Sequence, residues 1–322
     1  MKFLIRALFA VLCMAIAAAV AAEDYPARPI RMVVPYAAGG LPDTIARLIG
    51  QRLADALGQQ VIVENRGGAG GIAGTEQVAK AAPDGYTLLV ADVGQLAINP
   101  HLYSKLPYDP VKDLVAVSLA GTAPLFLVVH PSVPAANFTE LIALARAKPG
   151  ALTYGSSGTG SIHHLSMEAL KSAFGLDIVH VPYKGTGQSV PALLGGQVSM
   201  LFSAGPSLVS HLKTGGVRVL AVNTAKRSAQ APDVPAIAEF GVADYDYPAE
   251  IGVLAPAGTP AAIVSKLSAE IARAVKHTET AQRFAQLGID PVGSTAEAYA
   301  AQNRLAYERY ARVVRIAGAK LD

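Results

Sequence analysis

The 322-residue chain has no tryptophan and a single cysteine, Cys13. That cysteine lies in ALFAVLCMAIAAAV (7–20), an apolar run behind Lys2 and Arg6 that is too short to span a bilayer and ends in small residues. Residues 1–22 are therefore expected to be a secretory signal peptide, processed after Val20-Ala21-Ala22. Cys13 follows Leu12 rather than a small residue, which argues against a lipoprotein anchor. With no twin arginine, the chain is expected to cross the membrane unfolded. Without this segment no cysteine remains, so disulfides and thiolate chemistry are excluded in a compartment that permits both. Charge is scarce as well: charged residues make up 16% of the chain. Removing Lys2 and Arg6 from 27 basic residues leaves 25 against 24 acidic ones, which argues against nucleic acid or an anionic membrane as partner. Later apolar runs are short, so the processed chain is not expected to be embedded in a membrane. The seven histidines show no metal-type spacing. A G-x-x-x-x-G-K-[ST] loop is missing, which excludes a P-loop NTPase.

What is present is a long alternation of strand-like and helix-like segments, the pattern of an α/β protein with mainly parallel sheets. IRMVV (30–34) reads as a buried strand between Pro29 and Pro35. Ile45, Leu48, Ile49, Leu53 and Leu57 then recur at helical spacing, with Pro42 and Asp43 in the first turn and Gly58 as the stop. Strands follow at 60–66, 86–92, 115–121 and 125–131, with a helix near 71–81 and a polar connection at 98–114. A second group of strands (152–157, 177–183, 198–203, 217–224) alternates with helices at 137–148, 161–174, 187–195 and 206–214. A strand at 250–256 and helices at 260–276 and 295–316 close the chain. An economical arrangement has residues 23–123 and 249–322 in one domain and 124–248 in another, with two crossing strands as hinge and a ligand cleft between the lobes.

Three glycine-rich turns each join a strand to a helix. The first, PYAAGGLPD (35–43), and the third, YGSSGTGSIHHL (154–165), fall in different lobes. Ligands of open α/β sheets bind at the carboxyl ends of strands, where free N–H groups and helix N-termini favour anions. The two turns can thus face each other across the cleft and hold a carboxylate-bearing ligand, with Ser156, Ser157, Thr159 and Ser161 adding hydroxyls. Lys184 in VPYKGTG (181–187) can neutralise a carboxylate. The second turn, NRGGAGGIAGT (65–75), matches a dinucleotide fingerprint in its glycines, with Asp92 ending the next strand. A lone match of this kind is weak, and an exported chain would have to find the cofactor outside the cytoplasm. A serine hydrolase is the rival from another class, using Ser157 or Ser161. Thr159 breaks the G-x-S-x-G frame, however, and adjacent His163 and His164 point about 100° apart on a helix. No acid, base and nucleophile converge, so neither enzyme activity nor any cofactor is expected.

The stretches YPARPIRMVVPYAAGGLPDTIAR (25–47), GQQVIVENRGGAGGIAGTEQVAKAAPDGYTLL (58–89), INPHLYSKLPYDPVKDL (98–114), LTYGSSGTGSIHHL and VPYKGTGQSVPALLGGQVSMLF resemble the Bug-type periplasmic receptors of tripartite tricarboxylate transporters. RVLAVNTAKRSAQAPDVPAIAEFG (218–241) and GVLAPAGTP (252–260) extend the resemblance over nearly the whole processed chain. It implies a two-lobed periplasmic binding protein of the type II, Venus-flytrap class, acting as a monomer in the periplasm. It also implies capture of a small organic acid for delivery to a membrane permease, with presentation to a sensor kinase as the alternative. Carried over by position, Tyr36, Ala37, Gly39, Gly40 and Asp43 form the first clamp. Ser156, Ser157, Thr159, Gly160 and Ser161 form the second, and Tyr183, Lys184, Ser203 and Ala204 are walls. The chain departs from the family at Glu250-Ile251-Gly252, where W-x-G is common, and near Ser203, where an aspartate is frequent. A carboxylate at 250 facing the cleft would repel an anion or bind a cation; solvent exposure is the expectation, because loop carboxylates usually stay wet.

Overall fold

The computed structural model describes residues 25–228 and 231–319; the expected signal segment lies outside the described residues. Its strands, among the described residues, form two sheets. One contains β1 (Ile30–Val34), β2 (Val61–Asn65), β3 (Thr87–Ala91), β4 (Leu114–Ala123), β10 (Ala249–Pro256) and β11 (Asp290–Pro291) in the order β11-β4-β10-β3-β1-β2. The other contains β5 (Leu125–Val129), β6 (Thr153–Ser156), β7 (Val179–Pro182), β8 (Met200–Ala204) and β9 (Arg218–Val222) in the order β7-β6-β8-β5-β9.

Both sheets are mixed, and in each most strands run in one direction, as expected: four of six in the first and four of five in the second. β1 pairs parallel with β2 and β3, but β10 runs antiparallel between β3 and β4. In the second sheet β6 is parallel to β7 and β8, while β5 is antiparallel to β8 and β9. The reason is the chain path. β4 leaves the first sheet at Ala123 and β5 enters the second after Pro124; β10 comes back and pairs with β4, with Ala249 opposite Ala123. A strand that returns beside the one that left must run the other way.

Helices cover both sheets: α1 (Leu41–Leu57), α2 (Ile72–Ala79), α3 (Asn99–Leu102), α4 (Phe138–Ala147), α5 (Ile162–Phe174), α6 (Thr186–Leu194), α7 (Val209–Lys213), α8 (Ala261–Lys276), α9 (Thr278–Gln286) and α10 (Ala296–Ala317). α1 illustrates how the sequence specifies them. Ile45, Ile49 and Leu53 are fully buried on one face, and Gly58 ends the helix in the left-handed region, donating its N–H to the Ala54 carbonyl. Burying each such aliphatic side chain contributes about 1.5–3 kcal/mol. Gly50 is small for a reason: a Cβ there would sit 3.2 Å from Val61 Cγ1, so α1 lies close on β2. The sequence pattern missed α9, whose nine residues bury only Thr280 and Phe284. It also read 98–114 as irregular throughout, whereas Pro100 occupies the start of α3, where its missing N–H costs nothing. α10, capped by Thr295 Oγ1 accepting from Ala298 N (3.2 Å), packs on both β4 and α5 and so touches the layers of both sheets.

Candidate functional site

A cleft of about 550 Å³ lies where the carboxyl ends of β1 and β3 face those of β6, β7 and β8. Leu125, Ala249 and Ile251, from the segments that pass between the sheets, line it.

The first wall is the turn between β1 and α1. Pro35 ends the apolar strand, and Gly39 turns the chain at φ 87°, in the left-handed region that favours glycine. α1 then starts at Gly40 with no side-chain cap, and Pro42 removes one of its first N–H donors. Tyr36, Ala37 and Gly40 line the cleft. The Tyr36 hydroxyl donates to Asp92 Oδ1 (2.7 Å) and accepts from Gln95 Nε2 (2.8 Å), and burial beside Asp92 pushes its pKa up. Gly39 and Asp43 correct the expectation, because neither lines the cleft. The Gly39 N–H donates to Asp43 Oδ2 (2.9 Å), so that donor is used within the turn. Asp43 is buried and also accepts from Asn65 Nδ2 (3.0 Å) and pairs with Arg47 (2.9 Å). Burial alone would raise its pKa; hydrogen bonds from Arg47, Gly39 and Asn65 outweigh that and hold it below the usual carboxylate range. Asp43 thus braces the turn from behind.

The second wall is the turn between β6 and α5. Ser157, Thr159, Gly160 and Ser161 all line the cleft. Ser161 Oγ caps α5 by accepting from His164 N (3.3 Å), and Gly160 N donates to His164 Nδ1 (3.1 Å). Ser157 Oγ bonds His163 Nδ1 (2.7 Å), whereas Thr159 Oγ1 makes no hydrogen bond to the described residues. Ser156 corrects the expectation. It ends β6 pointing away from the cleft, where its Oγ bonds His180 Nε2 (2.7 Å) and accepts from Gly158 N (3.1 Å). The His180 ring stacks on His164 at 4.2 Å and on Tyr154 at 4.7 Å, a plate that backs the turn. Burial lowers the pKa of all three histidines, His163 and His180 to about 4, so they are neutral at neutral pH. Tyr183, Lys184 and Ala204 line the cleft; Ser203, one residue earlier on β8, faces the opposite side by strand alternation and is buried.

Ser157 and His163 pair as the nucleophile and base of a hydrolase would, but among the described residues no carboxylate bonds the imidazole. A base lowered to about 4 is also ill matched to neutral pH.

Sequence reasoning missed part of the first wall. Gly68, Gly70 and Gly71 line the cleft, with the Gly70 carbonyl accepting from Gln95 Nε2 (2.9 Å) and Asn99 Nδ2 (3.0 Å). The second glycine turn therefore belongs to the cleft. Asp92, Asn99, Tyr103, His163 and Thr186 line it too. Asp92 had a signal, since it ends a strand at the ligand side of the sheet.

Glu250 overturns the expectation of solvent exposure: it is 3% exposed. On β10 its neighbours Ala249 and Ile251 line the cleft, so alternation turns Glu250 to the other face, towards α10. There Oε1 accepts from Gln302 Nε2 (2.9 Å) and lies 3.6 Å from Arg309, while Oε2 accepts nothing. Burial raises its pKa despite Gln302 and Arg309. A carboxyl raised in the fold stabilises the folded state below its unfolded pKa, and that contribution is lost as pH rises through the folded value. Glu250→Gln should therefore raise the melting temperature at neutral pH, with a gain that shrinks on acidification. A lower melting temperature at neutral pH would mean that the Arg309 pairing dominates instead.

Residues 45–320 match the family described as tripartite tricarboxylate transporter family receptor. Protein BugT of Bordetella pertussis is 39% identical over 307 residues, covering 95% of this chain and 94% of its own. Among solved structures, R. palustris Rpa4515 with adipate superposes with a TM-score of 0.89 at 35% identity, covering 92% of this chain and all of that one. MatC (Rpa3494) from Rhodopseudomonas palustris with bound malate gives 0.83 at 33% identity, covering 90% of this chain and all of that one. The family is one of receptors rather than enzymes, and a solved neighbour at 32% identity is the periplasmic binding protein BugD. The chain belongs to the tripartite tricarboxylate transporter receptor family, as a Bug-type receptor.

Proposed function

We propose that the protein binds one small organic carboxylate in this cleft, in the periplasm, and hands it to the membrane permease of a tripartite tricarboxylate transporter. The observation that carries the reading is the convergence of two helix starts, at Gly40 and Ser161, on one cleft from two different sheets. Oriented backbone N–H groups and helix dipoles stabilise an anion without a buried counter-charge. The adipate- and malate-bound relatives support the same ligand class.

In this reading Tyr36, Ala37 and Gly40 contact one end of the ligand, and Ser157, Thr159, Gly160 and Ser161 the other. Tyr183, Lys184 and Ala204 close the sides, and Gly39, Asp43, Ser156 and Ser203 act from behind. Residues 23–123 with 249–322 move as one lobe and 124–248 as the other, closing about the paired strands β4 and β10. Closure removes water from the anion and strengthens its hydrogen bonds.

The test is a thermal-shift screen of refolded, ligand-stripped protein against adipate, malate, other mono-, di- and tricarboxylates, and amino acids. A ligand at 100 times its dissociation constant adds about 2.7 kcal/mol of stability. Silence across the panel with the fold intact overturns the carboxylate reading. With a hit in hand, Thr159→Ala should weaken binding by about 1–2 kcal/mol, because its hydroxyl has no internal partner to lose. An unchanged dissociation constant by titration calorimetry would remove Thr159 from the clamp. Delivery is tested by uptake of the labelled acid in cells with and without the receptor.

A further inference from the structure

One carboxyl and one lysine side chain line the cleft, and they come from opposite sheets: Lys184, exposed at the rim, and Asp92, at the end of β3. A carboxylate is an unexpected lining for a pocket that receives anions. Asp92 is 5% exposed, and Oδ1 accepts the Tyr36 hydroxyl (2.7 Å) and the Gly94 N–H (2.7 Å). Oδ2 accepts no hydrogen bond from the described residues, and no described cation pairs with the group. Burial accordingly pushes the Asp92 pKa up, against the two hydrogen bonds that favour the charged form.

The internal duties of Asp92 do not require its charge. Both bonds are donated to an oxygen, and an asparagine side-chain oxygen would accept them equally well. What an asparagine could not supply is a negative centre at the wall of a closing cleft, where an unpaired charge is costly unless a partner arrives.

We propose that the ligand brings that partner: a protonated amine that pairs with Asp92 while its carboxylate lies at the helix starts. The cleft would then select amino-bearing carboxylates over their plain counterparts. This rests on the carboxylate reading above and narrows it. It also moves to Asp92 the discriminating role that the sequence had suggested for Glu250.

The test uses matched pairs that differ only in the amine: aspartate against succinate, glutamate against glutarate, and α-aminoadipate against adipate. Each is titrated calorimetrically into the wild-type protein and Asp92→Asn near neutral pH. One hydrogen-bonded charge pair should favour the aminated member of at least one pair by about tenfold or more in the wild type. Asp92→Asn should bring that ratio to about one or invert it, while unfolding cooperatively at or above the wild-type temperature. Plain acids that bind as tightly as aminated ones, or a preference that survives in Asp92→Asn, overturn the assignment and leave the carboxylate reading standing. Failure of every acid in both series to bind the wild type overturns both.

Discussion

Gly40→Val is expected to abolish ligand binding while leaving the protein folded. Gly40 has φ −79° and ψ 176°, extended backbone that any residue adopts and that a β-branched one prefers. A Cβ placed there meets nothing closer than 3.9 Å, so the fold has room for it. The added side chain would instead occupy the cleft in front of the first N–H groups of α1. Each hydrogen bond lost to a charged oxygen costs about 1.5–3 kcal/mol, so losing two weakens binding by about 100-fold or more. Stability should fall by no more than about 1 kcal/mol, the difference between glycine and an aliphatic residue at a helix N-cap. Calorimetry with the best acid of the screen, beside a thermal melt, reads both effects. Wild-type affinity in a folded Gly40→Val protein would place the ligand elsewhere.

Gly252→Ala should do the reverse and damage the fold. Gly252 sits in the middle of β10, and a Cβ built on it would collide with Cζ and the hydroxyl of Tyr299. Tyr299 is 1% exposed and packed with Val33, Leu89 and Leu254, so it cannot swing aside. Overpacking of this kind costs about 1–3 kcal/mol and occasionally more, and strand backbone on one side with a full core on the other puts this site at the upper end. For a chain of this size, about 3 kcal/mol corresponds to a melting temperature lower by roughly 5 °C. Tyr299→Ala provides the control. It is destabilising alone, but in the double variant the two costs should sum to less than their separate values, because the collision is removed. Strict additivity would show that the collision is not the cause.

The two glycines were equally visible in the sequence, and nothing in their spacing separated them. One faces an open cleft and the other the phenol end of a tyrosine whose residue is 47 positions away in the chain. The same limit explains Glu250 and Ser203. Each was read beside a residue that does line the cleft, and each is turned away by the two-residue period of its strand. That period is legible in sequence; which face meets the ligand is not, because it depends on what packs against the other side. For Glu250 the answer was α10, delivered from the far end of the chain.

The sequence by itself determined the α/β alternation, the position of most strands and helices, and the glycine turns at strand ends. It also determined the lack of any thiol or metal-binding pattern after residue 22. These follow from local propensity, apolar period and residue chemistry, which need no knowledge of distant neighbours. Tertiary structure alone decided that the sheets are mixed, because antiparallel pairing comes from β10 returning beside β4. It alone brought the second glycine turn, Asp92 and His163 into one cleft with the two clamps. It alone placed Asp92, rather than Glu250, on the cleft wall, since burial and partners are properties of contacts between segments far apart in the chain.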